Sequence, residues 1–486
     1  MKGGAKIAIK SVILPIINHK KTMNITIKAQ KSSGYFQTMK SLLKLGIPVL
    51  ITQVGIIIVS FADTMMVGAY GLNELAASAF VNSLFLIAVV MLLGFAGGVT
   101  PIIGALFGKG DHREGGLMLR ASLLVNLGVA MVFILVMGCL YFLLPYFGQD
   151  PELLDIAEEY YLIILPSLIP MAIFNCMQQS CNGLNDTATP MWIILGADVL
   201  NVLGNYLLIF GKWGFPELGL AGAGWSTLAA RTSTAIAILC VYSFSSGYRT
   251  YWQSLIRGGS GNRRRLQVWK TSYPLMVQSG VECGLWTMGA VVSGWFGKVE
   301  LAAYQVMNTI GQLGFMIYMS FAWATSIKVA NFTGQKDFNS VRRVTKVGLH
   351  MILILATLAS LVFLFFTDNL VHYFTPEEEV VAYAMLLIPP LVLYQYCDGT
   401  QLTYVNALRG TSEVKPLLWI SIVSYIFVGI SVLFLFAVFF EMQTVGVYYS
   451  FSVALLVAAV LLVVTFRKTL KSLESKEKDK IVLNMV

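Results

Sequence analysis

Charge is scarce in this sequence. Only 12% of its 486 residues are Asp, Glu, Lys or Arg, against about 25% in an average soluble domain. Histidine is scarcer still. His19, His112, His350 and His372 are scattered and form no H-E-x-x-H spacing, so helical zinc chemistry has no anchor. The cysteines at 139, 176, 181, 240, 283 and 397 lie in or beside apolar segments without a C-x-x-C spacing. They read as small packing residues, not a disulfide framework or a metal site. No resident cofactor is expected.

What is present is apolar. Hydrophobic residues make up 57% of the chain, and mean hydropathy is +0.72. Runs long enough to cross a bilayer, roughly 20 residues each, recur between short polar breaks. We count about twelve, which predicts an all-α integral membrane protein in contact with lipid. The breaks alternate in charge. Those near 108 to 120, 183 to 190, 245 to 270, 328 to 346 and 409 to 415 carry 16 Lys or Arg, whereas the opposite breaks carry only Lys212 and Lys298. The basic side is expected to be cytoplasmic. Both termini are basic as well, so a multi-pass protein of the inner (plasma) membrane with both ends in the cytoplasm is expected. The net charge of +9 is then a topology signal and requires no nucleic-acid partner.

An internal repeat sets the organisation. Shifted by 226 residues, Pro48 aligns with Pro274 and Gly71-Leu-Asn-Glu-Leu-Ala-Ala77 with Gly297-Lys-Val-Glu-Leu-Ala-Ala303. The same shift pairs Asn82 with Asn308, Gly108-Lys-Gly-Asp111 with Gly334-Gln-Lys-Asp337, and Pro190 with Pro416. Two six-helix lobes around a central cleft, related by an axis along the membrane normal, are expected. The expected divisions are a basic tail over 1 to 40, a first lobe over 41 to 245, a basic linker over 246 to 266, a second lobe over 267 to 466 and a charged tail over 467 to 486.

Few charges remain inside the apolar runs: Asp63, Asp198, Glu282, Asp398 and Arg231. An ionisable group at bilayer depth costs several kcal/mol unless it meets a partner or a wet cavity, so each marks a candidate site. At a rise of about 1.5 Å per residue, Glu282 lies about 18 Å beyond Lys270 and Asp398 about 16 Å from Arg409, so the two carboxylates can share a plane. Tyr394 lies one turn from Asp398 on the same face. Two carboxylates and a phenol suit a shared proton or a hard monovalent cation. Asp63, toward the outer side of helix 1, is a further candidate for cation coupling and is expected to form a polar patch with Asn201 and Asn205 of helix 5, with Asp198 of the same helix in the same candidate cleft. Asp198 and Arg231, on consecutive helices, are expected to pair with each other.

Together these residues resemble a known family. Pro48 followed by Asp63 in Phe61-Ala-Asp-Thr-Met-Met-Val-Gly68, then Glu74-Leu-Ala-Ala77, is similar to helix 1 of the multidrug and toxic compound extrusion (MATE) family. Pro274 with Glu282 resembles its helix 7, and Tyr394-x-x-x-Asp398 with Leu408-Arg-Gly410 its helix 10. The resemblance is closest to the NorM branch. It implies cation coupling at Glu282, Asp398 and Tyr394, and export of cationic or amphipathic organic compounds in exchange for sodium or protons, by a protein working as a monomer. Another branch carries an aspartate on helix 5 where this chain has Asn205, which leaves Asp63 with asparagine neighbours. A flippase of lipid-linked sugars on the same scaffold is the rival; it calls for several internal cations, and Arg231 is the one found. No catalytic constellation stands out, so an enzyme is not expected.

Overall fold

The computed structural model describes residues 34–259 and 261–483, with side chains to 479. Their regular structure is helical throughout. The spans are α1 (Tyr35–Tyr70), α2 (Leu72–Lys109), α3 (His112–Tyr141), α4 (Pro151–Gly183), α5 (Ala188–Ile209) and α6 (Gly219–Phe244). After a short amphipathic helix, Arg249–Arg257, follow α7 (Asn262–Phe296), α8 (Lys298–Gly334) and α9 (Phe338–His372). A bent pair, Glu378–Leu386 and Ile388–Gly410, forms α10. The last two are α11 (Lys415–Phe439) and α12 (Gln443–Leu483). Eleven of these described helices are long and apolar enough to cross a membrane, or twelve with the bent pair taken as one span. In hydrocarbon the backbone must satisfy its own hydrogen bonds, which is why uninterrupted helices are the solution.

The repeat is visible as shared local chemistry. Asp111 caps α3 by accepting from the Glu114 amide at 3.0 Å, and Asp337 caps α9 by accepting from the Ser340 amide at 3.0 Å. Each satisfies a donor that the first turn would leave orphaned. Just before them the chain turns through the left-handed region at Gly110 (φ 77°) and at Lys336 (φ 61°). Glu74 folds back over Gly71 at the start of α2, and Glu300 over Gly297 at the start of α8. Pro48 and Pro274 both lie inside their helices. The fourth helix of each set is interrupted: α4 passes through a 3₁₀ turn at Leu165–Ser167, and α10 bends by 49° ahead of Pro389 and Pro390.

The chain divides into two compact units. Among the described residues, one holds Ile51–Trp269; the other holds 34–50 together with Lys270 onward. Both α1 and α7 are therefore shared out between units along their length. Residues 1–33 of the expected N-terminal tail lie outside the described residues, and Tyr35 already opens α1. At the other end α12 continues as helix through the expected tail. Glu474 meets Arg342 at 2.7 Å and Glu477 meets Lys336, fastening α12 to the start of α9. Most cations counted with the loops are helical instead, because the helices run past the bilayer-length apolar core: Arg113 and Arg120 lie near the start of α3, Lys328 lies within α8 and Arg409 in the last turn of α10.

Close helix approach in the second unit depends on Gly289. A methyl group there would run into the Phe451 ring of α12 and lie 3.1 Å from the Tyr304 hydroxyl, whereas one at Gly138 of α3 would meet nothing within 4 Å. Gly289→Ala is therefore expected to destabilise by about 1–3 kcal/mol through overpacking, while Gly138→Ala leaves stability unchanged or slightly raised. Thermal melts of the detergent-solubilised variants read both.

Candidate functional site

In the second unit the polar residues of α7, α8, α10 and α11 converge. Asp398 is 1% exposed, and neither of its carboxylate oxygens has a hydrogen-bond partner among the described residues. Glu282, half-buried on α7, lies within its field. The Tyr425 hydroxyl of α11 is positioned against the Glu282 carboxylate and accepts at 2.8 Å from Gln401 Nε2 on α10. Arg409, half-buried, completes this side with its guanidinium in the field of Glu282.

Asp398 has a second polar flank. Tyr318 of α8 lies in its field. Gln395, one turn before Asp398, is fully buried, and neither end of its amide is bonded. Gly314 makes room for both, since a Cβ there would sit 3.0 Å from Gln395 Oε1 and 3.1 Å from the Tyr318 hydroxyl. Tyr394 is also buried; its ring meets Trp286 edge-on at 5.4 Å, and Trp286 packs on Phe451 at 4.3 Å. Trp286 lies one turn beyond Glu282, so one wedge of aromatic side chains sets both Tyr394 and the α7 carboxylate.

The first unit is built differently. Asp63 of α1 accepts a short hydrogen bond from Asn205 Nδ2 of α5. Asn201 turns instead to α6, donating to Thr227 Oγ1 at 3.4 Å, while Ser226 Oγ donates to the Asn201 carbonyl at 2.7 Å. Of the two asparagines expected beside Asp63, one is its partner and the other ties α5 to α6. Asp198 and Arg231 do not pair. The Asp198 carboxylate points at Gly55 of α1, 3.0 Å from where a Cβ would stand, and Arg231 donates to Ser167 Oγ at 2.7 Å on the broken turn of α4. The expectation rested on their places on consecutive helices, but their side chains leave α5 and α6 in different directions.

Tyr425, Gln401, Gln395, Tyr318, Trp286 and Arg409 were not legible as site residues. All but Arg409 are uncharged, and Arg409 stands among loop cations. Tyr425 sits on a π-helical stretch, Ile422–Ile430, whose wider turn shifts the facing residue; such stretches recur at functional sites. Among the described residues, no group of three or more His, Cys, Asp or Glu side chains converges. The donor set at Asp398 and Glu282, two carboxylates with amide and phenol oxygens, matches a proton or a monovalent cation better than a multivalent metal.

The MatE family model matches residues 48–207 and 274–435, one stretch in each copy of the repeat. The chain is similar to a probable multidrug resistance protein NorM of Photorhabdus laumondii, 25% identical over 446 residues, covering 89% of this chain and 96% of that one. A probable NorM of Bradyrhizobium diazoefficiens is 27% identical, covering 87% and 92%. Among solved structures, the eukaryotic MATE transporter AtDTX14 superposes with a TM-score of 0.80 at 18% identity, covering 91% of this chain and all of that one. A mutant of the Vibrio cholerae MATE transporter VcmN gives 0.79 at 19%, covering 90% and 98%. These likenesses establish the fold.

A buried carboxylate without a partner carries its full desolvation cost. Asp398→Asn is therefore expected to melt above wild type in sodium-free buffer, by a margin that grows as the pH is raised and the wild-type carboxyl loses its proton. A thermal melt above wild type is the expected result; a lower one means that the carboxylate is satisfied within the fold.

Proposed function

The chain belongs to the MatE family, and from that premise we propose that it is a secondary antiporter that exports cationic or amphipathic organic compounds in exchange for sodium or protons. The single observation that carries this reading is the enclosed, unpartnered Asp398 carboxylate beside Glu282. The relatives named as multidrug resistance proteins support the substrate class. We further place the protein in the cell inner (plasma) membrane, with the basic face and both termini in the cytoplasm, and take the monomer as the working unit.

The physics of coupling follows from the charge. With Asp398 and Glu282 both ionised in a low dielectric, enclosing the site is costly. A bound proton or sodium ion offsets that cost and lets the site close; an organic cation competes for the same field. Each ligand therefore shifts the same equilibrium between two exposures of the site, which is the requirement for exchange. Glu282, Asp398 and Tyr394 hold the coupling ion, with Gln401 and Tyr425 orienting Glu282. In the first unit Asp63, held by Asn205, contributes a second field, with Asp198 nearby. One-for-one exchange of monovalent cations moves no net charge. Its drive is then the chemical gradient alone, about 1.4 kcal/mol per tenfold difference.

Efflux of ethidium from vesicles carrying an imposed sodium or pH gradient tests the reading. Either gradient is expected to drive efflux by wild type, and Glu282→Gln or Asp398→Asn to reduce it at least tenfold. The gradient that works identifies the ion. Wild-type protein indifferent to both gradients across several cationic dyes contradicts the proposal and favours transport of a lipid-linked sugar.

A further inference from the structure

Arg231 is the residue that the coupling reading leaves unused. It sits at the centre of α6, twelve residues from Gly219 and thirteen from Phe244. An arginine at such depth costs several kcal/mol unless something there requires it. Three groups in the first unit were available to neutralise it, and none does so directly. Asp63 is bonded to Asn205, Asp198 is directed at Gly55, and Tyr160 lies against Asn82. Among the described residues no carboxylate comes within ion-pair distance of Arg231; its one hydrogen bond runs to Ser167 Oγ at 2.7 Å. A guanidinium has five N–H donors in a planar fork. Here one is committed, and the side chain is only half-buried, as is Asp63. The remaining donors are neither bonded nor enclosed.

Ser167 also fixes where the fork points. It lies on the 3₁₀ turn that breaks α4, and its hydroxyl donates to the Ile164 carbonyl, so its oxygen accepts from Arg231 in one orientation. Arg231 is thus held, accessible and short of acceptors, while Asp63 stands close enough to share its field. A planar fork matches a carboxylate or sulfonate with two parallel hydrogen bonds.

We propose that Arg231 is a recognition group for an anionic substituent, and that the first unit takes exported amphiphiles carrying a carboxylate or sulfonate beside their positive charge. Arg231 holds the anionic group and Asp63 faces the cationic one. This rests on the export reading and deepens it by naming a mixed-charge ligand class and the residue that selects it.

A matched pair of fluorescent dyes provides the test: a rhodamine free acid, which is zwitterionic, and its ethyl ester, which is a plain cation. In gradient-driven vesicles wild type is expected to export both. Arg231→Gln is expected to lose export of the acid at least tenfold while ester export stays within twofold, and Arg231→Lys to keep part of the acid transport. Fluorescence anisotropy of each dye on the purified variants reads the same difference in binding, independent of transport rate. Equal loss of acid and ester in transport and in binding overturns the inference, because Arg231 then acts on the fold or on Asp63 alone. Unchanged handling of both dyes overturns it as well. Wild type that exports neither rhodamine nor ethidium contradicts the export reading and takes this inference with it, whereas export of ethidium or the ester without the acid, or with an Arg231-independent acid, contradicts only the inference.

Discussion

A carboxylate enclosed in an apolar helix bundle without a partner is the constraint around which this protein is arranged. Most of the chain obeys the membrane's rule that polar groups be satisfied locally: helix backbones bond to themselves, serines and threonines bond to the preceding turn, and aspartates cap helix ends. Asp398 breaks that rule with both oxygens, and its surroundings amplify the breach. Tyr318, Tyr394 and Glu282 surround it with further oxygen atoms, and Arg409 lies in the field of Glu282. A carboxylate in such surroundings is costly while it stays charged and unpaired, and the proposed exchange would draw on that cost.

The two units solve the same folding problem and then diverge. Capping aspartates, folded-back glutamates and inserted prolines recur at one spacing because every six-helix set needs the same ends and bends. The interiors share none of this chemistry. At the repeat spacing Asp63 of the first unit corresponds to Gly289 of the second, where the Phe451 ring passes. One copy uses the position for a carboxylate held by Asn205, the other for close packing that supports the aromatic wedge on Tyr394.

How much of this the sequence carried depends on the kind of signal. Helix number, the repeat and the isolated carboxylates were legible because each is a departure from an apolar background. Asp63, Glu282 and Asp398 stand out as charges wherever their helices point. Direction around a helix is a different matter. Asp198 and Arg231 lie on consecutive helices yet turn toward α1 and α4, since azimuth depends on tilt and on the break at Ser167, neither of which periodicity fixes. Tyr425 and Gln401 were hidden because neutral polar residues in spans commonly serve as interhelical ties, and because the π-helical turn moves Tyr425 off the expected face. Arg409 was read as a loop cation from its place at a helix end.

Ion release on ligand binding tests the central claim most directly. Purified protein in weakly buffered detergent solution, loaded with sodium at neutral pH, is titrated with tetraphenylphosphonium while sodium and proton electrodes record the solution. If Asp398 and Glu282 form a field for which ion and substrate compete, wild type releases about one cation equivalent per bound phosphonium, and the double variant Glu282→Gln, Asp398→Asn releases none. Saturable phosphonium binding by wild type with no release of either ion contradicts the account.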